Sequence, residues 1–415
     1  MTDQSVTILG AGIVGLCCAL SLQARGVQVR LIDRGAPGQE TSFGNAGVIS
    51  PWSVVPQAVP GIWRQIPGLL LRRTGPLTVR PAFWPRMVPW GLRFLRQSGL
   101  PRVRAVSDAM EVLCAPSVDL YKRHLQGTGH EALVRDCAYV LAHRRADGPD
   151  LTALDAVLRR EKGAQMEVLD AAALRTLEPA LSPEFRAAMV VHGQARALSP
   201  GTIGTVFAEK ALAQGAEIMR AEVQRIARAE AGGWHLRTAD GDLHADRVIL
   251  AAGVWSAELL KPLGISVPLV AERGYHVSFP NAGVALSNSV ADVDNRIIAS
   301  SMVDGVRIAG SSEFGAIEAP PDPRKTALLQ AQAHAMLPDL SPEGLQSWMG
   351  RRPALPDSLP ALGPVPDQPG LFAAFGHCHY GLMMAPKTGE LLADLLTARH
   401  PNADVSAYRL ERFSE

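Results

Sequence analysis

Three stretches of the chain carry the apolar patterning of a buried parallel sheet, and they lie far apart. The first opens with Val6-Thr7-Ile8-Leu9, a run suited to a strand covered on both faces. Residues 14–25 then read as a helix, Gly26 as its C′ residue, and residues 27–32 alternate as a second strand tipped by Asp33. In the second stretch, residues 200–214 pattern as an amphipathic helix stopped by Gly215, and residues 216–226 as a strand that returns to the sheet. Val248-Ile249-Leu250 follows as a core strand ending in the small residues Ala251, Ala252 and Gly253. The third stretch is Leu371-Phe372-Ala373-Ala374-Phe375, then Gly376-His377-Cys378-His379-Tyr380-Gly381 and a helix over about 385–396. Long insertions separate the three. The pattern predicts an α/β fold with a discontinuous Rossmann-like cofactor domain, residues 1–52, 196–266 and 348–415. A second, α+β domain built from residues 53–195 and 267–347 would lie over the reactive end of the cofactor.

Between the first strand and its helix stands Gly10-Ala11-Gly12-Ile13-Val14-Gly15. Gly10 permits the tight turn, Gly12 lets backbone approach a pyrophosphate, and Gly15 lets the helix lie close on the sheet. The N–H groups at Ile13 and Val14 and the positive end of the helix point toward phosphates. Asp33 is placed to accept both hydroxyls of an adenosine ribose, with Arg34 beside it, and a plain βαβ unit has no need of an acid there. An ADP moiety is implied, and the acid disfavours the 2′-phosphate of NADP.

The composition narrows the field. At 415 residues with a net charge of +1, the chain has room for two cores and no signature of a nucleic-acid partner. Its five cysteines are odd in number and without framework spacing, the pattern of a reduced, cytoplasmic protein. The uncharged stretch 4–23 lacks a basic n-region and is accounted for by the dinucleotide unit, so no targeting segment is read. One local bias is pronounced. Between Glu40 and Asp108 there is no acid, yet the segment holds Arg64, Arg72, Arg73, Arg80, Arg86, Arg93, Arg96, Arg102 and Arg104 with Trp52, Trp63, Trp84 and Trp90. Two readings stand: residues 52–104 touch a membrane interface or dock an electron acceptor, or they form a solvated insertion packed on its own aromatics.

Four further segments carry a resemblance: Glu40-Thr41-Ser42-Phe43-Gly44-Asn45-Ala46-Gly47, Glu272-Arg273-Gly274-Tyr275-His276, Trp348-Met349-Gly350-Arg351-Arg352-Pro353 continuing through Pro356-Asp357-Ser358-Leu359-Pro360, and residues 376–386. With the dinucleotide unit they resemble the glycine oxidase and D-amino-acid oxidase superfamily of FAD enzymes, and within it the bacterial D-amino-acid dehydrogenase branch. The last two segments also look like the bacterial glyphosate oxidoreductase. The resemblance implies FAD, held noncovalently because the loop 40–47 has no histidine. Thr41, Ser42, Asn45, Ala46 and Gly47 would wrap the pyrophosphate and edge the flavin; Val223, Ala252, Gly253, Gly376, His377, Gly381, Leu382 and Met383 would line the rest. Backbone N–H groups at 381–383, just ahead of the last helix, would sit near the flavin's pyrimidine end.

In relatives the arginine of Gly-Xaa-Arg-Pro grips the substrate carboxylate, and the matching residue is Arg352, not Arg351. A planar guanidinium suits this task because two parallel N–H donors fix the direction of the Cα–H bond. His379 stands where glycine oxidase has a second arginine and the dehydrogenase branch a histidine. On an extended backbone His377 and His379 would share a face while Cys378 turns away, a packing residue; no further ligand cluster accompanies them and no metal is expected. Tyr275 would present its hydroxyl to the substrate carboxylate, and His276, of opposite parity, is set aside. The expected activity is hydride transfer from Cα of a D-amino acid or small secondary amino acid to flavin N5, with electrons passed to a quinone or protein acceptor. An oxygen-using glycine or sarcosine oxidase, a hydroxy-D-proline dehydrogenase and a non-catalytic flavoprotein subunit are the rivals. The expected location is cytoplasmic, peripheral on the inner membrane face if the basic segment docks there.

Overall fold

The computed structural model describes residues 5–71, 75 and 77–414. The N-terminal apolar run forms the strand Ser5–Leu9 inside a six-stranded sheet. Gln28–Asp33 and then Glu217–Arg220 lie to one side; Val248–Leu250, Leu371–Phe375 and Ala361–Pro364 lie to the other. All pairings are parallel except the last. Val6, Ile8, Val29 and Leu31 face the helices Ile13–Gln23, Pro200–Ala213 and Gly381–Leu396. Leu9, Ile32, Val248 and Leu250 face the other way, onto a small antiparallel sheet of Val223–Arg228, Trp234–Thr238 and Gly241–Ala245. Both faces are covered, which is why these strands are continuously apolar.

A second, mixed sheet of ten strands carries the other half of the molecule. In it Val270–Phe279 runs antiparallel between Gly305–Phe314 and Gln346–Ala354. Tyr275, Val277 and Phe279 pack toward the helix Pro323–Met336, with Leu329, Ala333 and Met336. By strand alternation Glu272, Gly274 and His276 take the opposite face.

Several expected boundaries shift. Residues 216–226 are not one strand: Glu217–Arg220 joins the nucleotide sheet, whereas Val223–Arg228 turns into the antiparallel one. A period-2 pattern cannot register a change of partner sheet. Residues 348–354 of the strand Gln346–Ala354, and Val48–Ile49, expected with the cofactor domain, are hydrogen-bonded into the large sheet. Conversely, Leu100–Cys114 and Ser117–Leu125, expected in the second domain, pack on the C-terminal helix through Met110, Leu113 and Tyr121. That helix begins at Gly381 rather than 385 and contains Pro386. Proline has no N–H to give the carbonyl four residues back, and the buried Tyr121 hydroxyl donates to that carbonyl, Leu382 O, at 2.7 Å.

Candidate active site

A single cavity of about 1090 Å³ runs between the two sheets. At one end Asp33 closes the strand Gln28–Asp33, its carboxylate accepting the N–H groups of Ala11 at 2.7 Å and Gly35 at 2.8 Å. Arg34 stacks its guanidinium 3.9 Å from the ring centroid of Trp255, a wall residue that the sequence pattern did not reveal. Gly12 caps the first helix without a side-chain acceptor, and no acid occupies the first turn. Ser42 reaches over to accept the Ile13 N–H at 3.0 Å. Gly10 sits at φ 109°, and a Cβ there would meet the Ala251 carbonyl oxygen at 2.4 Å. Two helix starts line this cavity, Gly12-Ile13-Val14 and Gly381-Leu382-Met383, and both offer N–H groups and a positive dipole end. An acid for ribose hydroxyls, a glycine-capped helix start for phosphates with the Ser42 hydroxyl beside it, and a second helix start further along are a donor set that fits FAD.

Ile13, Val14, Thr41, Asn45, Ala46, Val223, Ala252, Gly253, Gly376 and His377 line the same space. Gly15 and Gly47 do not. Gly15 lies against the Gly10 carbonyl, and Gly47, at φ 81°, packs on Ala197 and is held by Asn45 Oδ1 at 2.9 Å. His377 turns under the C-terminal helix, where Nε2 pairs with Thr388 Oγ1 at 3.0 Å, and burial lowers its pKa to about 3. The expected shared face with His379 is absent. Cys378, at φ 50°, reverses the chain between them; its thiol is buried against Leu355.

The reactive end is built on the cross-strand pairs of the large sheet. Glu272 lies opposite Arg352, Gly274 opposite Gly350, and His276 opposite Trp348. The Arg352 guanidinium lies over Gly274, where a Cβ would come within 2.2 Å of it, and Nη1 donates to Glu272 Oε1 at 3.2 Å. Trp348 leaves no room for a Cβ on Gly44 or Gly350 and stacks on His276, centroids 5.0 Å apart at 17°. His276 Nδ1 pairs with the Gly44 carbonyl at 3.0 Å, and burial together with the Arg307 charge lowers its pKa to about 3. Tyr275 and His276 do take opposite faces, and of the two only Tyr275 is among the residues that line the cavity. The Tyr275 hydroxyl, expected on a substrate carboxylate, is engaged within the protein, hydrogen-bonded to Glu313 and accepting the Asp322 N–H at 3.0 Å. Burial and the Glu313 carboxylate push its pKa up to about 12.

Glu272 joins these groups. It is 2% exposed, accepts from Arg352 Nη1 and the Ser312 hydroxyl at Oε1, and meets His379 Nε2 at 2.5 Å through Oε2. Burial alone would raise its pKa; His379, Arg352 and Ser312 outweigh that and hold it at about 2. The signal was an acid at the same parity as Gly274, two residues before it in the strand. Arg351, by contrast, does not line the cavity; its Nε donates to the Ile317 carbonyl at 2.7 Å.

Beyond this cluster one wall of the cavity is apolar. Ile66, Leu69 and Leu70 from the helix Ile62–Leu71, and Met87, Trp90 and Phe94 from Trp84–Arg96, form its wall. Trp90 stacks on Phe94 with centroids 5.4 Å apart and leans on Phe314, so part of the basic segment does pack on its own aromatics. Trp63, Trp84, Val88 and Leu92 remain exposed. Arg80 and Arg104 are paired with Glu313 and Glu161, while Arg64, Arg86, Arg93, Arg96 and Arg102 have no acidic partner among the described residues. Arg72 and Arg73 lie outside the described residues. No described helix is long and apolar enough to cross a membrane.

A dinucleotide groove at the edge of one sheet, closed by a second sheet that supplies a buried ion cluster, is the architecture of a flavin-dependent oxidoreductase. The chain belongs to the family described as FAD dependent oxidoreductase (DAO), which it matches over residues 5–395. It is 32% identical to a D-amino-acid oxidase of Bradyrhizobium diazoefficiens, over 99% of both chains. It is also 32% identical to D-amino acid dehydrogenase 2 of Ralstonia nicotianae, over 99% of this chain and 100% of that one. Among solved structures, glycine oxidase from Geobacillus kaustophilus superposes with a TM-score of 0.75 at 23% identity, covering 99% of each chain, a likeness of fold.

Proposed function

We propose that this protein is an FAD-dependent D-amino-acid dehydrogenase, oxidising a D-amino acid or small secondary amino acid and passing the electrons to an acceptor other than oxygen. The observation that carries this reading is Arg352. Its guanidinium is fixed in plane by Gly274 beneath and Glu272 beside it, yet it lines the cavity with N–H donors left for a substrate carboxylate. Bound FAD would supply the hydride acceptor. Arg352 orients the carboxylate so that Cα faces the cofactor, Trp348, stacked on His276, forms a rigid wall, and Gly381, Leu382 and Met383 direct N–H groups toward negative charge that builds in the cavity. The dehydrogenase names among the relatives favour a non-oxygen acceptor, as does the apolar vestibule beneath the helices Ile62–Leu71 and Trp84–Arg96, which carry Arg64, Arg86, Arg93 and Arg96 and suit a lipid-soluble quinone reached from an anionic membrane surface.

Anaerobic mixing of the yellow holoenzyme with a panel of D- and L-amino acids, glycine, sarcosine and hydroxyproline tests the reading. Bleaching by D-amino acids, followed by slow reoxidation in air and fast reoxidation by a short-chain quinone, is expected. Bleaching by glycine or sarcosine with fast reoxidation in air would make the protein an oxidase. Absence of bleaching by every amino acid would end the proposal.

A further inference from the structure

We propose that His379, backed by Glu272, is the base that takes the proton from the substrate's ammonium group. The inference rests on the amino-acid reading above and gives that site a proton-transfer role. An α-amino group is protonated at neutral pH, and its lone pair must be freed before it can drive departure of hydrogen from Cα. A base is therefore useful here, and the cluster dictates which atom can serve. Glu272 is ionised, so it can only accept hydrogen bonds; the 2.5 Å contact fixes the proton on His379 Nε2. A neutral imidazole then carries its lone pair on Nδ1, which has no partner among the described residues, and the ring lines the cavity. Arg352 shares the same carboxylate, so a substrate held by Arg352 brings its amine beside this ring.

The step is balanced. One N–H bond of the ammonium breaks, a bond forms from that proton to Nδ1, the amine keeps the electron pair, and the imidazolium is stabilised by Glu272 in the manner of a carboxylate–histidine pair. The charged groups around the ring are Glu272 and, through it, Arg352. Tyr380 beside it has its hydroxyl tied to the Val55 carbonyl. Arg159 and Arg296 also line the cavity, each with its own partner, Asp155 and Gln65. The rival arrangement is direct contact of the ammonium with Glu272, which would leave the imidazole neutral.

The test uses holoenzyme labelled with ¹⁵N-histidine and two compounds that cannot be oxidised at Cα: 2-aminoisobutyrate, which carries the amine, and isobutyrate, which does not. His379 is assigned by comparison with His379→Asn. At pH 7.5, binding of 2-aminoisobutyrate should convert the His379 ring to the imidazolium signature, and isobutyrate should not. A ring that stays neutral with 2-aminoisobutyrate bound overturns the proposal. Failure of both compounds to bind overturns the amino-acid reading itself, and the proposal with it. In a second measurement, His379→Asn should slow anaerobic flavin reduction at pH 7 by about 10²-fold or more, with the rate recovering as pH rises and free amine becomes abundant. A wild-type pH profile in that variant would overturn the base assignment even if the absolute rate had fallen.

Discussion

A guanidinium that must present a flat two-pronged edge needs neighbours that hold its plane, and Arg352 has them in Gly274 and Glu272. Arg352→Lys keeps the charge but not the fork. We expect KM to rise and flavin reduction to slow, a loss of about 2 to 4 kcal/mol in kcat/KM for a carboxylate substrate, measured by stopped flow with the best amino acid. Glu272 gives a second prediction, in stability. Its folded pKa of about 2 lies below the ordinary glutamate value of 4.5, so its contribution is fully present above about pH 4.5 and is lost as pH falls through 2. The gap in unfolding free energy between wild type and Glu272→Gln should narrow by about 2 kcal/mol from pH 6 to pH 3, read from urea midpoints. A constant gap would mean that the carboxyl is not held down. Arg352 and Asp33 were legible in the sequence because each sits at a fixed offset in a local motif. Glu272 was not, since its importance comes from two partners, His379 and Ser312, distant in sequence.

At the scale of elements, the sequence shows a helix best where period and caps agree, and the last helix breaks both rules. It starts at a glycine and carries Pro386 in its interior, so pattern alone delays its start to 385. The fold repairs the break from elsewhere in the chain through the Tyr121 hydroxyl on Leu382 O. Tyr121→Phe leaves that carbonyl buried without a donor and should cost about 1 to 3 kcal/mol of stability. Because Leu382 belongs to the turn that lines the cavity, the same variant should also bind FAD more weakly by fluorescence titration. Unchanged stability would show that another donor reaches the carbonyl. The strand over 216–226 shows the opposite limit: both halves are real strands, but only tertiary pairing says that Ala221 and Glu222 divide them between two sheets.

For the whole molecule, the absence of acids from Glu40 to Asp108 becomes a surface. Exposed Trp63, Trp84, Val88 and Leu92 accompany arginines that lack acidic partners, above an apolar vestibule. Holoenzyme should co-sediment with phosphatidylglycerol vesicles at low salt and release at high salt. Changing Arg64, Arg86 and Arg93 to glutamine should weaken binding by about 1 kcal/mol per residue. Sedimentation that ignores both salt and the triple change would remove the membrane role, and loss of soluble-dye activity in that variant would assign the segment to shaping the active site. The six-stranded sheet has a consequence of another kind. Ser5–Leu9 is synthesised well before its neighbour Val248–Leu250 and the next strand, Leu371–Phe375, which lie far along the sequence. Strand Ser5–Leu9 therefore waits unpaired on one edge until Val248–Leu250 has been made, and the groove for the dinucleotide closes only after Leu371–Phe375 and the helix Gly381–Leu396 have followed. Flavin should therefore act as a late folding ligand, and scarcity of flavin in the cell should lower the protein's abundance before it lowers the turnover of the molecules that survive.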